Sequence, residues 1–286
     1  MAQKLKGKAA VITGAGSGGI GRAIALAMAE EGASVVVNDI ARGPDGKSIA
    51  DKVVDEIKKA KGIAVANYDT VATMQGGENI IKTATGNFGR IDILVNCAAN
   101  YTRTPALEVT EKEWDTFINV HLKGHFSCSM AAVREMIKQK SGRIINFSSR
   151  AAASGGGNIA YGTVKAGILG FTSGLSNEVK GYGITVNAIV PSADTKLFPG
   201  PRPKIPGGLP SSMWLEPDYI APVVTYLGTD EARDVTGRYI YASGGDICIY
   251  AKTLELASES SIFIRKMGKW TVDELIQTIP QVLGLD

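Results

Sequence analysis

Cysteine is scarce in this chain. Cys97, Cys128 and Cys248 are spread over 286 residues, with no metal-ligand spacing among them. An odd number of isolated thiols argues against a disulfide framework and points to a reducing compartment, with the thiols free and buried. Charge of one sign is scarce as well. The net charge is +3, and no block of lysine and arginine stands out, so nothing suggests a nucleic-acid partner. No apolar run is long enough to cross a bilayer. The opening M-A-Q-K-L-K-G-K is polar and lacks the apolar segment of a secretory signal. These absences predict a soluble, cytoplasmic protein without membrane attachment. What remains is ordinary globular composition, 44% hydrophobic and 21% charged, enough to build a substantial core.

Strand and helix signals alternate along the chain. Short apolar runs at 8–13, 34–38, 63–67, 91–96, 143–148 and 184–190 read as strands, and a last strand is expected at 237–242. Between them, helical spacing predicts helices at 20–31, 45–61, 75–87, about 110–139 and 160–179. Continuous Val/Ile runs separated by helices imply a parallel sheet covered on both faces, hence one doubly wound α/β domain of the Rossmann type. No repeat or linker divides it. The expected organisation is a catalytic domain over 1–246, a loop over 192–214 rich in proline and glycine, and a C-terminal extension over 247–286. A loop of that length suits a lid or a binding loop. The extension ends in a helical pattern, Val272, Leu275, Ile276 and Ile279, with Thr271 and Glu274 spaced as a capping box.

The first strand runs into Thr13-Gly14-Ala15-Gly16-Ser17-Gly18-Gly19-Ile20-Gly21. Glycines allow a tight turn and let the backbone approach a pyrophosphate, which the free N–H groups of a helix N-terminus then receive. A glycine-rich string alone is often only a turn. A strand before it, a helix after it and a second strand ending in Asp39 make it a dinucleotide site. A carboxylate at Asp39 accepts hydrogen bonds from a ribose 2′-OH and repels a 2′-phosphate, favouring NAD over NADP, although Arg42 follows closely. The plainer reading is that Asp39 opens a turn. Asp69, after the third strand, suits the adenine edge or a simple turn, and Asn96 ends the fourth strand at the edge where such folds bind ligands.

Tyr161 and Lys165 stand four apart, on one face of a predicted helix, with Ser149 twelve residues upstream. A free phenol has a pKa of about 10, and a nearby cation lowers a pKa by about 1–3 units. Lys165 and an oxidised nicotinamide are two such cations, which would bring Tyr161 toward a working general base. Ser149 would hydrogen-bond the substrate oxygen, and Asn119, a poor mid-helix residue, would hold a water linking Lys165 to solvent. Taken singly, each has a plainer explanation: a surface helix pair, a strand exit, a polar core residue. His121 and His125 look like a metal pair, but no Cys, Asp or Glu stands at ligand spacing, so no metal site is expected.

These residues, in this order, resemble the short-chain dehydrogenase/reductase family across about residues 6–246. The resemblance implies that Tyr161 is the acid/base, Ser149 orients substrate, Lys165 lowers the Tyr161 pKa and binds the ribose, and Asn119 maintains a proton relay. It also carries residues 13–21 onto the family's cofactor loop and adds Thr70, Ala98 and Pro191 to the expected NAD contacts, alongside Tyr161 and Lys165. Stretches such as V-V-V-N-D, F-G-R-I-D-I-L-V-N and V-H-L-K-G-H-F are similar to the NAD-dependent (R)-specific 3-hydroxyacyl-CoA dehydrogenase branch found in peroxisomal multifunctional enzymes and bacterial relatives. There are departures. The glycine loop has one extra residue, the usual N-N-A-G reads Asn96-Cys97-Ala98-Ala99, the usual P-G reads Pro191-Ser192, and the Ser149–Tyr161 spacing is one residue short, with Gly155, Gly156 and Gly157 inside it.

The resemblance therefore implies NAD-dependent oxidation of a secondary alcohol, on a 3-hydroxyacyl-CoA thioester. Arg103, Arg202 and Lys204 would face CoA phosphates or be plain surface charge. It implies a homo-oligomer, a dimer or tetramer, and leaves a hetero-oligomer open. Three other readings stand: a dehydrogenase or carbonyl reductase for a steroid, sugar or aromatic alcohol; a weakly active subunit of a heteromeric acyl-CoA enzyme; and a nucleotide-sensing regulator, which has no need of the full tetrad.

Overall fold

The computed structural model describes residues 3–16, 18–154, 158–195, 197, 215–250 and 262–284. The expectations placed on Ser17, on Gly155, Gly156 and Gly157, and on nearly all of the Pro-rich stretch, including Arg202 and Lys204, lie outside them.

Seven strands, β1 (Ala9–Thr13), β2 (Ser34–Asn38), β3 (Ile63–Asn67), β4 (Ile93–Asn96), β5 (Gly142–Phe147), β6 (Ile184–Pro191) and β7 (Tyr239–Ser243), pair in parallel. Their apolar runs follow from double coverage. In β2, Val35 and Val37 join the apolar cluster on one face while Val36 joins the cluster on the other. Helices α1 (Ile20–Glu30) and α2 (Ile49–Lys59) close the first face; α3 (Met74–Phe88) and α5 (Gly124–Gln139) lie on the second, while α4 (Glu111–Phe117) packs Trp114 and Phe117 into a separate cluster with Tyr161. They are followed by α6 (Ala151–Ser154), α7 (Ile159–Val179), α8 (Ala221–Leu227) and α9 (Val272–Leu283). The strand order is β3-β2-β1-β4-β5-β6-β7-β8-β9. The chain reverses direction across the sheet between β1 and β4, opening a crevice at their carboxyl ends where doubly wound sheets bind ligands.

Three expectations need correction. The helix expected at 45–61 begins at Ile49, because Arg42 and Ser48 bridge across a turn and the Ser48 hydroxyl then caps the helix at Ala50 N–H. The helix expected over 110–139 is interrupted by a π-helical segment, Ile118–Lys123, which carries Asn119. Such segments cost regular hydrogen bonding and recur at functional sites. The strand expected to be last is not last. A glycine turn at 244–245 sends the chain back into β8 (Asp246–Ile249), and β9 (Ile262–Arg265) pairs with β8, both antiparallel. Trp270 anchors this addition by donating its indole N–H to Gly245 O at 2.7 Å. The Thr271–Glu274 capping box forms as expected and starts α9, whose Leu275 and Ile279 are buried in the first-face core.

Candidate active site

The loop after β1 is built by close approach. Gly14 has φ +66°, and a Cβ there would stand 2.7 Å from Ala98 Cα; one at Gly21 would stand 2.5 Å from Gly14 O. Only glycine lets the loop, α1 and the exit of β4 pack this tightly. Thr13 locks the same junction, its hydroxyl accepting the N–H groups of Cys97 and Ala98 at 3.1 Å each. At the N-terminus of α1, Gly19 offers no side-chain cap, and the first turn, starting at Ile20, has no acidic residue. Among the described residues, a Cβ on Gly19 would meet nothing nearer than Thr195 Cγ2 at 3.8 Å, so none of them closes the helix end, whose free N–H groups favour an anion.

Asp39, at the end of β2, is 9% exposed. Its Oδ2 accepts Gly16 N–H at 2.9 Å and its Oδ1 accepts Ala41 N–H at 3.0 Å, tying the carboxylate to the glycine loop. Arg42 is exposed and donates to Gly46 O at 3.0 Å, within the small turn beyond Asp39. Asp69 is held through both oxygens, by Asn79 Nδ2 and Asn67 Nδ2 at 2.9 Å each. Thr70 follows it, its hydroxyl accepting Ala72 N–H at 3.2 Å. Asn96 is at the carboxyl edge of the sheet, but its amide is buried and donates to Ser129 and Asn146; it shapes the floor from within the core. Pro191 ends β6 at the same edge. Glycine cradle, open helix N-terminus and neighbouring carboxylate together fit a dinucleotide. Thr195 was missed by sequence reasoning. The signal available was a hydroxyl residue a few positions beyond the end of β6, but its place against Gly19 comes only from the fold.

Beside the crevice, Asn158 caps α7 by accepting Tyr161 N–H at 2.8 Å. The helix then stacks Tyr161 and Lys165 one turn apart, 4% and 2% exposed. Lys165 donates to Phe147 O at 2.7 Å. The reason lies in the sheet. Ser148 N–H donates to Ile189 O in β6 at 2.8 Å, so alternation turns the Phe147 peptide toward β4, which has already ended at Asn96. The lysine takes the place of a strand. Ser149, next after Ser148, hydrogen-bonds the Tyr161 hydroxyl. Three rings enclose the phenol: Tyr101 at 5.2 Å and 83°, Phe117 at 6.3 Å and 75°, His121 at 5.7 Å and 89°. Ser149, Tyr161 and Lys165 are thus brought together, and the π segment with Asn119 packs against α7. Arg103 lies exposed on the loop after β4.

Burial pushes the Tyr161 phenol above its ordinary range, and the hydrogen bond to Ser149 offsets only part of that rise. The lowering expected from Lys165 is therefore not seen in the protein alone: the net shift is upward, although Lys165 Nζ lies over the ring, 5.5 Å from its centroid. Burial also pulls Lys165 down, to about 8, low enough for it to exchange a proton near neutral pH. A phenol linked to a hydroxyl, with a buried amine beneath it and a glycine cradle beside it, can in its deprotonated form take a proton from an alcohol bound at the crevice.

The chain's two histidines are both buried, and among the described residues no group of three or more His, Cys, Asp or Glu side chains is placed to hold a metal ion. His125 Nδ1 bonds His121 O at 2.6 Å, and burial first, then Lys165, takes its pKa to about 3; the same causes hold His121 well below its ordinary 6.5. These shifts have a stability consequence. The folded values lie below the unfolded ones, so as the pH falls from 6.5 toward 3 the unfolded chain binds protons that the native chain refuses. The stability that His125 contributes above pH 6.5 is lost at about 1.4 kcal/mol per pH unit below it, and His121 acts in the same direction. Urea unfolding is expected to give a free energy lower by at least about 2 kcal/mol at pH 5 than at pH 7, with the difference reduced by about that amount in His125→Asn. Equal stabilities at the two pH values would show that the imidazoles are not held neutral.

The family model described as short chain dehydrogenase matches residues 8–198. The chain is 41% identical over 84% of its length to peroxisomal multifunctional enzyme type 2 of Drosophila melanogaster, and spans 39% of that protein. It is 38% identical to the (2S)-[(R)-hydroxy(phenyl)methyl]succinyl-CoA dehydrogenase subunit BbsD of Thauera aromatica, covering 84% of this chain and 97% of that one. A crystal structure of a short chain dehydrogenase from Mycobacterium avium superposes with a TM-score of 0.78 at 39% identity, covering 98% and 96% of the two chains. Fold, glycine cradle, Ser149–Tyr161–Lys165 arrangement and family match agree: the chain belongs to the short-chain dehydrogenase/reductase family of oxidoreductases.

Proposed function

We propose that the chain oxidises a secondary alcohol to a ketone with NAD, and that its substrate is a 3-hydroxyacyl-CoA thioester. The observation that carries the chemistry is the buried phenol of Tyr161, hydrogen-bonded to Ser149 and stacked over Lys165 at the edge of the cofactor crevice. Thr13, the glycines of residues 14–21, Asp39, Asp69, Thr70, Ala98 and Pro191 would hold the dinucleotide, which supplies the hydride acceptor. Tyr161 Oη takes the hydroxyl proton as the C–H bond breaks. Ser149 Oγ, already bonded to that phenol, orients the substrate oxygen and shares its developing charge. Lys165 stabilises the phenolate that accepts this proton, and the proton then leaves past Lys165 and Asn119 to solvent, restoring the phenolate. Reversal of the same steps reduces the ketone.

NAD is favoured because the Asp39 carboxylate, fixed to Gly16 N–H of the glycine loop, would repel a 2′-phosphate. Arg42, engaged with Gly46 O, is the competing feature. The thioester reading is supported by the name of one relative, a succinyl-CoA derivative dehydrogenase subunit that is 38% identical and matched over 97% of its length. The relative's description as a subunit favours a second reading, a partner in a hetero-oligomer, but Ser149, Tyr161 and Lys165 are all in place here.

An absorbance screen for NADH formation tests both parts. The expected result is turnover of 3-hydroxyacyl-CoA thioesters with kcat/KM at least about tenfold higher for NAD than for NADP. Turnover of cyclic or sugar alcohols with none of any thioester would sink the substrate assignment. A preference for NADP would refute the role of Asp39.

A further inference from the structure

The aromatic enclosure of Tyr161 is closed by a residue that the proposed chemistry does not use. His121, fully buried on the π segment, places its ring 5.7 Å from the Tyr161 ring at 89° and stacks on Phe117 at 5.7 Å and 17°. Its Nε2 meets the segment after β4 at Asn100: the backbone oxygen at 3.0 Å, the side-chain oxygen at 2.8 Å and the backbone N–H at 3.3 Å. The two shortest contacts are acceptors, which places the ring hydrogen on Nε2. The next residue, Tyr101, sets its own ring 5.2 Å from Tyr161 at 83°. The contacts form a closed circuit: His121 to Asn100, along the chain to Tyr101, across to Tyr161, and back to His121. The same segment begins at Cys97 and Ala98, whose N–H groups are fixed to Thr13 in the cofactor loop.

We propose that His121 is a positioning residue, clamping the segment 97–101 so that Tyr101 holds the Tyr161 phenol in one orientation toward the cofactor crevice. The proposal rests on Tyr161 being the proton acceptor. It assigns no proton transfer to the imidazole, which acts through its hydrogen bonds to Asn100. Loss of the clamp frees the Asn100–Tyr101 side of the enclosure, and a misplacement of about 1 Å in a reacting group costs up to about a hundredfold in rate.

Two substitutions separate clamp from ring. His121→Phe keeps a ring against Phe117 and Tyr161 but removes all three contacts to Asn100. His121→Gln keeps an N–H donor at the position of Nε2 and removes the ring. In full-length protein labelled with 13C at tyrosine rings, the Tyr101 and Tyr161 signals, assigned by single Phe substitutions, are expected to shift or broaden in His121→Phe and to return toward their wild-type positions in His121→Gln. With NAD and an alcohol that the wild type oxidises, kcat is expected to fall at least about tenfold in His121→Phe while KM for NAD stays within about threefold, and His121→Gln recovers most of the kcat. A merely structural role would lower the melting temperature and leave kcat and the tyrosine signals of the folded protein unchanged. That outcome overturns the proposal. If His121→Phe does not fold, Asn100→Ala removes one contact from the other side and is read by the same signals. If the wild type oxidises no alcohol, the proposed function fails while the tyrosine signals still decide whether the clamp exists.

Discussion

Lys165→Met is expected to abolish turnover without unfolding the protein. The lysine is 2% exposed, and its burial lowers its pKa from 10.5 to about 8. The sign of that shift decides the outcome. A depressed lysine pKa means the folded state disfavours the proton, so at pH 7 the native chain carries a charged ammonium at a cost of roughly 3 kcal/mol. This cost is fully present below pH 8 and fades as the pH rises from 8 toward 10.5. Methionine removes it while filling similar volume. Against that, Phe147 O loses its donor, worth about 1–3 kcal/mol for a buried carbonyl. The two effects nearly cancel, so the unfolding free energy of Lys165→Met at pH 7 is expected to be unchanged or up to about 2 kcal/mol higher. Turnover is expected to fall about a thousandfold. Chemical denaturation and steady-state kinetics on one preparation check both halves. A variant that loses activity because it has unfolded would show the ammonium to be a structural strut.

Much of this was legible because two periodicities and a few fixed spacings carry it. The all-apolar runs of β1 and β2 announce strands covered on both faces, and the glycine string between β1 and α1 announces a close approach that Gly14 and Gly21 then make. The four-residue spacing of Tyr161 and Lys165 needs only a helix, and Asn158 supplies its cap. What stayed hidden depends on partners distant in sequence. Nothing local to Lys165 reveals that a strand two positions short leaves Phe147 O for it to occupy. Nothing in Asn96 reveals that Asn146 and Ser129 claim its amide. The π segment around Asn119 has helical composition, so periodicity reads it as one continuous helix with its neighbours. Beyond β7, the residues of β8 and β9 are short and apolar, and their antiparallel pairing rests on a glycine turn that the alternating pattern upstream gave no reason to look for.

Tyr161→Phe carries the other large effect. It deletes one oxygen from a buried ring whose packing on Tyr101, Phe117 and His121 needs only the ring. It also ends the hydrogen bond to Ser149. The glycine cradle, Thr13 and Asp39, proposed to hold the cofactor, keep their own bonds. Cofactor affinity should therefore survive while the step that needs a proton acceptor does not. General acid–base groups contribute about 10²–10⁴-fold, and this one also orients the reacting oxygen with Ser149, which puts the expected loss near the upper end. The decisive measurement is single-turnover NADH formation by Tyr161→Phe, with the dissociation constant for NAD measured on the same protein. The expected result is a hydride-transfer rate at least about a thousandfold below the wild type, with NAD affinity within about fivefold. A rate within about tenfold of the wild type would contradict the assignment of Tyr161 as the proton acceptor.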